Sequence, residues 1–330
     1  MLVVTGGGGF IGSVLVWALN EAGRADIVIV DRFGSDDKWR NIAKRDFFEI
    51  VGIDKLPAWL DRFGGEVEAV FHLGANSSTT ERDADFVIET NLNSSIALWR
   101  WCAANRKKLI YASSAATYGD GAQGFDDDGG LAELKRLRPM NLYGWSKHAF
   151  DLWALREAAK GHAPPLWLGL KFFNVFGPNE YHKGEMMSLV AKNYATIAAG
   201  ETIKLFKSHR PDYADGEQSR DFIFVKDCVA VLLWLWRQGD SIAASGIHNL
   251  GTGAARSFRA LIAATGDACG KPAKIEYVET PPAIRSSYQY RTEANMDWLR
   301  AAGYNAPFLP LEDAVQDFVT GYLAKPDPYL

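Results

Sequence analysis

The chain has 330 residues, of which 48% are hydrophobic, with 11 Trp and 18 Phe, too long for one small core and suited to a large α/β domain with a smaller companion. Its net charge of −4 gives no reason to expect nucleic-acid or membrane-surface partners. The longest apolar run, "CVAVLLWLW", is too short to cross a bilayer, and "MLVVTGG" opens without a basic region or cleavage site, so a cytoplasmic protein without a signal peptide is expected. Cys102, Cys228 and Cys269 lie among apolar residues without metal-ligand spacing, which predicts buried free thiols and no metal site.

In chain order, "MLVVTGGGGFIGSVLVWALNEAG" reads as strand, glycine turn and helix. "DIVIVD", "VEAVFHLGA", "KKLIYASSA" and "LWLGLKFFNVFG" are later strands. "DFVIETNLNSSIALWRWCAAN" and "SKHAFDLWALREAAKGH" are helical stretches between them. Strands alternating with helices predict βαβ units, hence a doubly wound parallel sheet covered on both faces. Beyond Gly177 the alternation loosens into shorter strands, "TIKLF", "DFIFV", "HNLGTG" and "KIEYVE". Residues 1–175 are therefore expected to form the first domain, with a segment at about 220–255 returning to it. Residues 176–330 are expected to form mainly a second, smaller lobe. Exposed loops are expected at 119–130 and 207–219.

"TGGGGFIG" places Gly6, Gly9 and Gly12 directly after an apolar strand, with Phe10 and Ile11 opening the helix. Gly6 permits the tight turn, Gly9 lets the backbone approach a pyrophosphate, and Gly12 lets the helix pack closely on the sheet. The amides at the helix start and its dipole favour the phosphate charge. Asp31 ends the next strand, about 20 residues on, where an acid bonds an adenosine ribose hydroxyl. Asp31 alone points to NAD; Arg32 and Lys38, able to receive a 2′-phosphate, tilt the reading to NADP with NAD as the alternative.

"YASSAATYG" ends a strand, and "YGWSK" follows with Tyr143 and Lys147 four apart on one helix face. The Lys147 ammonium is expected to hold the nicotinamide ribose and lower the Tyr143 phenol by its charge. Tyr143 then exchanges a proton with a substrate hydroxyl, and Ser114 bonds the same oxygen. Lys183, in "NEYHKGEM", is a solvated loop lysine on one reading and a second acid/base on another; the residues alone leave both open. His72 reads as a strand-end core histidine, and His182 as a residue that positions its neighbour. Arg220 is placed to clamp a pyrophosphate with its planar fork, or else to pair with Asp221 or Asp227. Asp227 is expected to cap the helix that follows it.

The pieces "TGGGGFIG", "HLGA", "SSAATYG", "YGWSK", "FNVFGP" and "RDFIFVKD" together resemble the extended short-chain dehydrogenase/reductases that act on nucleotide sugars. The resemblance implies a Rossmann domain, a bound nicotinamide cofactor and a C-terminal nucleotide-sugar lobe. Dehydratases of that family carry an Asp-Glu pair straight after the serine or threonine, where this chain has Ala115 and Ala116. Epimerase-reductases use a cysteine and a histidine near the sugar, and neither stands at a matching position. Epimerisation remains.

"LGANSSTTE", "YASSAATYG", "NVFGPNEYHKGEMMS" and "RAAGY" narrow the likeness to the ADP-glycero-manno-heptose 6-epimerase branch, which supplies a lipopolysaccharide inner-core heptose precursor. That resemblance implies inversion of C6 through a 6-keto sugar, with Ser114, Tyr143, Lys147 and Lys183 as catalytic residues. It implies one tightly bound NADP per subunit, held by Gly6, Gly9, Phe10, Ile11, Gly12, Asp31, Arg32, Lys38, Leu73, Gly74, Ala75, Ser77, Asn91, Tyr143, Lys147 and Val175. It also implies an ADP-sugar substrate held by Ser78, Thr79, Asn174, Glu185, Lys192, Phe206, Arg220 and Tyr288, in a homo-oligomer, a homopentamer by family likeness. The departures are the inserted loop at 207–219, and Glu185 and Lys192 where a serine and a histidine are expected. A UDP-hexose 4-epimerase, which needs no second base, and a non-catalytic dinucleotide-binding scaffold stand as alternatives.

Overall fold

The fold comes from a computed structural model that describes residues 1–127, 130–238, 245–285 and 288–330. In chain order its strands are β1 (Leu2–Thr5), β2 (Ile27–Val30), β3 (Glu49–Val51), β4 (Ala69–His72), β5 (Lys108–Ser114), β6 (Trp167–Phe172), β7 (Asn174–Phe176), β8 (Thr202–Phe206), β9 (Ser219–Phe224), β10 (Gly246–Leu250), β11 (Ala255–Ser257) and β12 (Lys274–Val278). One sheet runs β10-β6-β5-β4-β1-β2-β3, and all its neighbouring pairs are parallel. The cause is legible in β1, β2 and β4, whose residues are buried throughout. Continuous apolar runs of this kind need both sheet faces covered, and each buried Val, Leu or Ile stabilises the fold by about 1.5–3 kcal/mol. Strand order reverses between β1 and β4, leaving a crevice at their carboxyl ends where doubly wound sheets bind ligands.

The run "LWLGLKFFNVFG" breaks in two at Phe173, whose N–H donates to the Leu250 carbonyl (3.0 Å). Its second half, β7, leaves the main sheet and pairs parallel with β9, which pairs antiparallel with β11. This switch carries the chain from the main sheet towards Lys183. The segment expected to return at 220–255 divides: β10 is an edge strand of the main sheet, whereas β9 stays in the small sheet. Helix Val225–Gln238 packs against helix Phe10–Glu21. Strands β8 and β12 form a parallel pair. A second apolar core gathers around Phe176, Phe222, Phe224, Val315 and Phe318.

The long helix expected before Asn105 is interrupted by a π-helical segment, Ile88–Asn93, between Ala84–Val87 and Ser94–Ala104. Such bulges gather at functional sites, and this one buries Asn91. All three cysteines are free; Cys102 and Cys228 are buried, but Cys269 is only half-buried. Among the described residues no helix is long and apolar enough to cross a membrane. Residues 128 and 129 of the loop expected at 119–130 lie outside the described residues.

Candidate active site

The glycine turn closes at the carboxyl end of β1. Gly6 has φ +68°, and a Cβ there would lie 2.6 Å from the Gly74 Cα. A Cβ on Gly12 would lie 2.1 Å from the Gly6 carbonyl oxygen, so glycine is required at both positions. Gly9 caps helix Phe10–Glu21 without any side-chain hydrogen bond, which leaves the first amides free to meet an anion. This cradle fits the pyrophosphate of a dinucleotide. Leu73 and Gly74 are tied to β1, their amides donating to the Thr5 carbonyl (3.1 Å) and hydroxyl (3.1 Å). His72 joins the Thr5 hydroxyl (2.7 Å) to the Ser95 hydroxyl (2.8 Å); burial, with Lys147 nearby, pushes its pKa down to about 3. Asn91 clasps the next loop, its Oδ1 accepting from Asn76 N (2.8 Å) and its Nδ2 donating to Asn76 O (2.9 Å) and Ser146 Oγ (3.0 Å). Ala75, Ser77 and Ser78 lie on that loop, and Ser78 N donates to Asn76 Oδ1 (2.9 Å).

Asp31, directly after β2, is already engaged. It accepts from Gly8 N (2.8 Å), Arg32 N (2.7 Å) and Lys38 Nζ (2.6 Å). Arg32 points outward, 3.5 Å from Asp54, with its side chain 62% exposed.

Tyr143 and Lys147 share helix Leu142–Ala159, started by Asn141, whose side chain accepts from Gly144 N. Lys147 is 4% exposed and donates to the Ala112 carbonyl on β5 (2.8 Å); burial lowers its pKa to about 8, against a smaller opposing pull from Asp151. Tyr143 keeps part of its surface open. The expected lowering of its phenol by Lys147 is corrected here: desolvation pushes the phenol up, Asp151 adds to this, and a hydrogen bond with Ser114 is what pulls it down. Ser114 Oγ accepts from Ala116 N (3.1 Å), leaving its own proton to donate.

Beneath these residues lies a network that sequence reasoning missed. Asp151, one helical turn beyond Lys147, accepts from Ser113 Oγ (2.6 Å), Tyr111 OH (3.1 Å) and Lys171 Nζ (2.9 Å). Lys171 also donates to the Thr117 hydroxyl (2.5 Å). Both ions are buried, where a half-made pair would be strongly destabilising. The i,i+4 spacing of Lys147 and Asp151 was the available signal.

Lys183 lies in the turn Tyr181–Met186. Its ammonium stands 5.2 Å from the centroid of the Phe10 ring, the first residue of the dinucleotide helix. Among the described residues no hydrogen-bond acceptor reaches it. Desolvation lowers its pKa, opposed by Glu180. Glu180 is itself buried and accepts from Gly177 N (3.2 Å), Ser188 N (2.6 Å) and Ser188 Oγ (2.7 Å). Met186 Sδ lies 3.9 Å from the Thr79 hydroxyl, so this turn also meets the 73–79 loop. Asn174 is exposed at the start of β7, followed by Val175.

On β9 Arg220 is 9% exposed, its guanidinium 5.3 Å from the Phe258 ring and 5.6 Å from that of Tyr288. It donates only to Ser219 O (2.8 Å) among the described residues, and pairs with neither acid proposed for it. Asp221 is taken by Thr252, Gly253 and Ala294. Asp227 accepts from Leu309 N (3.0 Å); it ties down a distant loop, where a helix cap was expected. Phe206 stacks edge-on to Tyr288 at 6.3 Å. Glu185 and Lys192 meet each other at 2.8 Å. The inserted loop packs on the same wall, with His209 6.3 Å from the Tyr288 ring.

The model of the NAD dependent epimerase/dehydratase family matches residues 2–251. The chain is 48% identical, over all of both chains, to a protein of Nitratidesulfovibrio vulgaris named ADP-L-glycero-D-manno-heptose-6-epimerase. It is 46% identical, again over all of both chains, to the protein of the same name from Fusobacterium nucleatum. The crystal structure of the Helicobacter pylori ADP-L-glycero-D-manno-heptose-6-epimerase superposes with a TM-score of 0.78 at 26% identity, over 98% of this chain and 96% of that one.

Proposed function

The chain belongs to the NAD dependent epimerase/dehydratase family, and we propose that within it the protein inverts C6 of the heptose in ADP-glycero-manno-heptose. The relatives supply the substrate. The observation that carries the reaction type is Lys183, a second desolvated amine seated on the first residue of the dinucleotide helix.

NADP is held by the glycine cradle, Asp31, Arg32, Lys38, Leu73, Gly74, Ala75, Ser77, Asn91, Val175 and the Tyr143–Lys147 pair. Pairing Lys38 with Asp31 neutralises the carboxylate that would repel a 2′-phosphate. When bound there, the cofactor would supply a hydride acceptor and donor for C6 and, oxidised, a positive charge that would favour loss of the Tyr143 proton. Tyr143 accepts the hydroxyl proton in one orientation of the sugar, with Ser114 bonding the same oxygen. The resulting ketone turns about its exocyclic bond and presents its other face. Its oxygen then lies away from Tyr143, and Lys183 donates the proton as C–H is re-formed. The hydride returns to C6 and oxygen regains a proton, so no net oxidation occurs; Tyr143 has gained the proton that Lys183 has lost, and exchange with solvent resets both before the next turnover. Arg220 clamps the diphosphate, while Ser78, Thr79, Asn174, Glu185, Lys192, Phe206 and Tyr288 line the sugar and nucleotide path. The same reading carries with it a cytoplasmic homopentamer.

Incubation of the purified protein with ADP-heptose and, separately, with UDP-hexoses tests it. Inversion of the heptose supports the reading. Turnover of UDP-hexoses alone would replace it with a 4-epimerase, and turnover of neither with a scaffold.

A further inference from the structure

Lys183 is fastened from two sides by residues to which the reaction assigns no part. The short helix Asp37–Ile42 begins at Asp36, whose side chain accepts from Lys38 N, and ends beside Asn41, which is 1% exposed. Asn41 Nδ2 donates to the Gly8 carbonyl in the glycine turn (3.0 Å) and meets His182 Nδ1 (3.2 Å). The Gly8 carbonyl only accepts, so the amide nitrogen must face it. The second N–H of that nitrogen then points at His182, and Nδ1 is the ring nitrogen without a proton. Asn41 Oδ1 is left buried with no partner, an unfavourable arrangement that the two bonds on the nitrogen side offset. Burial and the cations of Lys38 and Lys183 push the His182 pKa down, against Asp36 and Asp31, so Nδ1 stays free to accept at neutral pH. On the approach to the turn, Asn179 is fully buried with φ +72°. Its Nδ2 donates to Ser13 Oγ (3.0 Å) on the dinucleotide helix and to Asn41 O (3.3 Å).

We propose that Asn41 and His182 are positioning residues whose contact fixes where Lys183 presents its amine over the dinucleotide cradle. One short helix then sets both the cofactor's ribose end, through Lys38, and the second proton-transfer group, through Asn41. This rests on Lys183 serving one orientation of the ketone and Tyr143 the other.

That asymmetry gives the test. Each C6 epimer of ADP-heptose is mixed singly with cofactor-loaded protein, and the absorbance of reduced nicotinamide reports its oxidation. Amide hydrogen exchange across Tyr181–Met187 is measured on the same variants. A displacement of about 1 Å costs on the order of 10²-fold in rate. His182→Phe and Asn41→Leu should therefore slow oxidation of one epimer by about 10²-fold, leave the other near wild type, and speed exchange in the turn. His182→Asn keeps an acceptor near the Nδ1 position and should restore both rates. Equal slowing of both epimers, or no slowing with unchanged exchange, overturns the proposal. Lys183→Met separates it from the reading beneath. If that variant oxidises both epimers normally, the role of Lys183 fails and the proposal with it. If it is selectively impaired while His182→Phe is normal, only the positioning role fails.

Discussion

Lys147 stands within an 18-residue helix, buried, with its ammonium on a strand carbonyl and an acid one turn away. Lys183 stands in a six-residue turn that contains a break at Gly184 (φ 52°, ψ −122°). Its amine meets a ring face and no acceptor among the described residues. Regular secondary structure places the first; long-range side-chain bonds from Asn41 and Asn179 place the second. The two amines are thus placed by different means. A helix position follows from spacing along the chain, while a turn position depends on contacts over a hundred residues apart, since Asn41 and His182 are separated by 141 positions.

The largest effect is expected at the two proposed proton-transfer groups. Tyr143→Phe and Lys183→Met should each lower epimerisation by about 10²- to 10⁴-fold, the usual contribution of a positioned acid or base, with cofactor still bound. Product analysis by NMR decides it. Lys183→Met at close to the wild-type rate would reduce the second region to an ordinary solvated loop.

Stability against pH sharpens the contrast from the buried side. In the folded chain Lys147 gives up its proton at about pH 8, whereas unfolded it holds one up to its ordinary 10.5. Between those values the unfolded state binds more protons, so stability rises with pH. The window corresponds to roughly 3 kcal/mol at most. Denaturant unfolding of the cofactor-free protein should show this slope, and Lys147→Met should flatten it. The same slope in both proteins would mean that Lys147 is solvated.

The contrast between a held and a loose cation repeats at the ribose end. Lys38 is paired with Asp31, with side chains only 18% and 6% exposed, while Arg32 is open. Arg32→Ala should weaken NADP by about 10- to 150-fold, the value of one charge-assisted hydrogen bond, and leave NAD binding unchanged. Equal losses for both dinucleotides would make Arg32 a bystander. The smallest effect is expected from Asp54→Ala, which removes only an exposed partner of Arg32. Tm should not move, and NADP affinity should rise by less than Arg32→Ala lowers it.

The main sheet and the Tyr143–Lys147 pair were legible because both obey local rules. Buried parallel strands read as apolar runs, and two side chains one turn apart on a helix face read as Y-x-x-x-K. The short edge strand β3 was not legible, since two of its three residues are exposed and break the apolar pattern. The split of "LWLGLKFFNVFG" was hidden because Phe173 is as apolar as its neighbours, and only the pairing with Leu250 shows where the chain leaves the sheet. The Tyr143 phenol was misjudged because sequence gives charges without burial, and here burial dominates. Asn41 carried no signal in "KWRNI", as its partners, the Gly8 carbonyl and the His182 ring, are brought together only by folding. Asn179 offered a faint one: asparagine after "GP" is among the few residues that accept a positive φ.

Isotope tracing tests the central claim most directly. ADP-heptose carrying deuterium at C6 is incubated with the purified protein in ordinary water, without added dinucleotide. Inversion by hydride removal and return from a resident cofactor predicts the opposite epimer with deuterium still at C6. Inversion accompanied by exchange of that deuterium for solvent hydrogen would mean direct deprotonation at carbon, and would contradict the account.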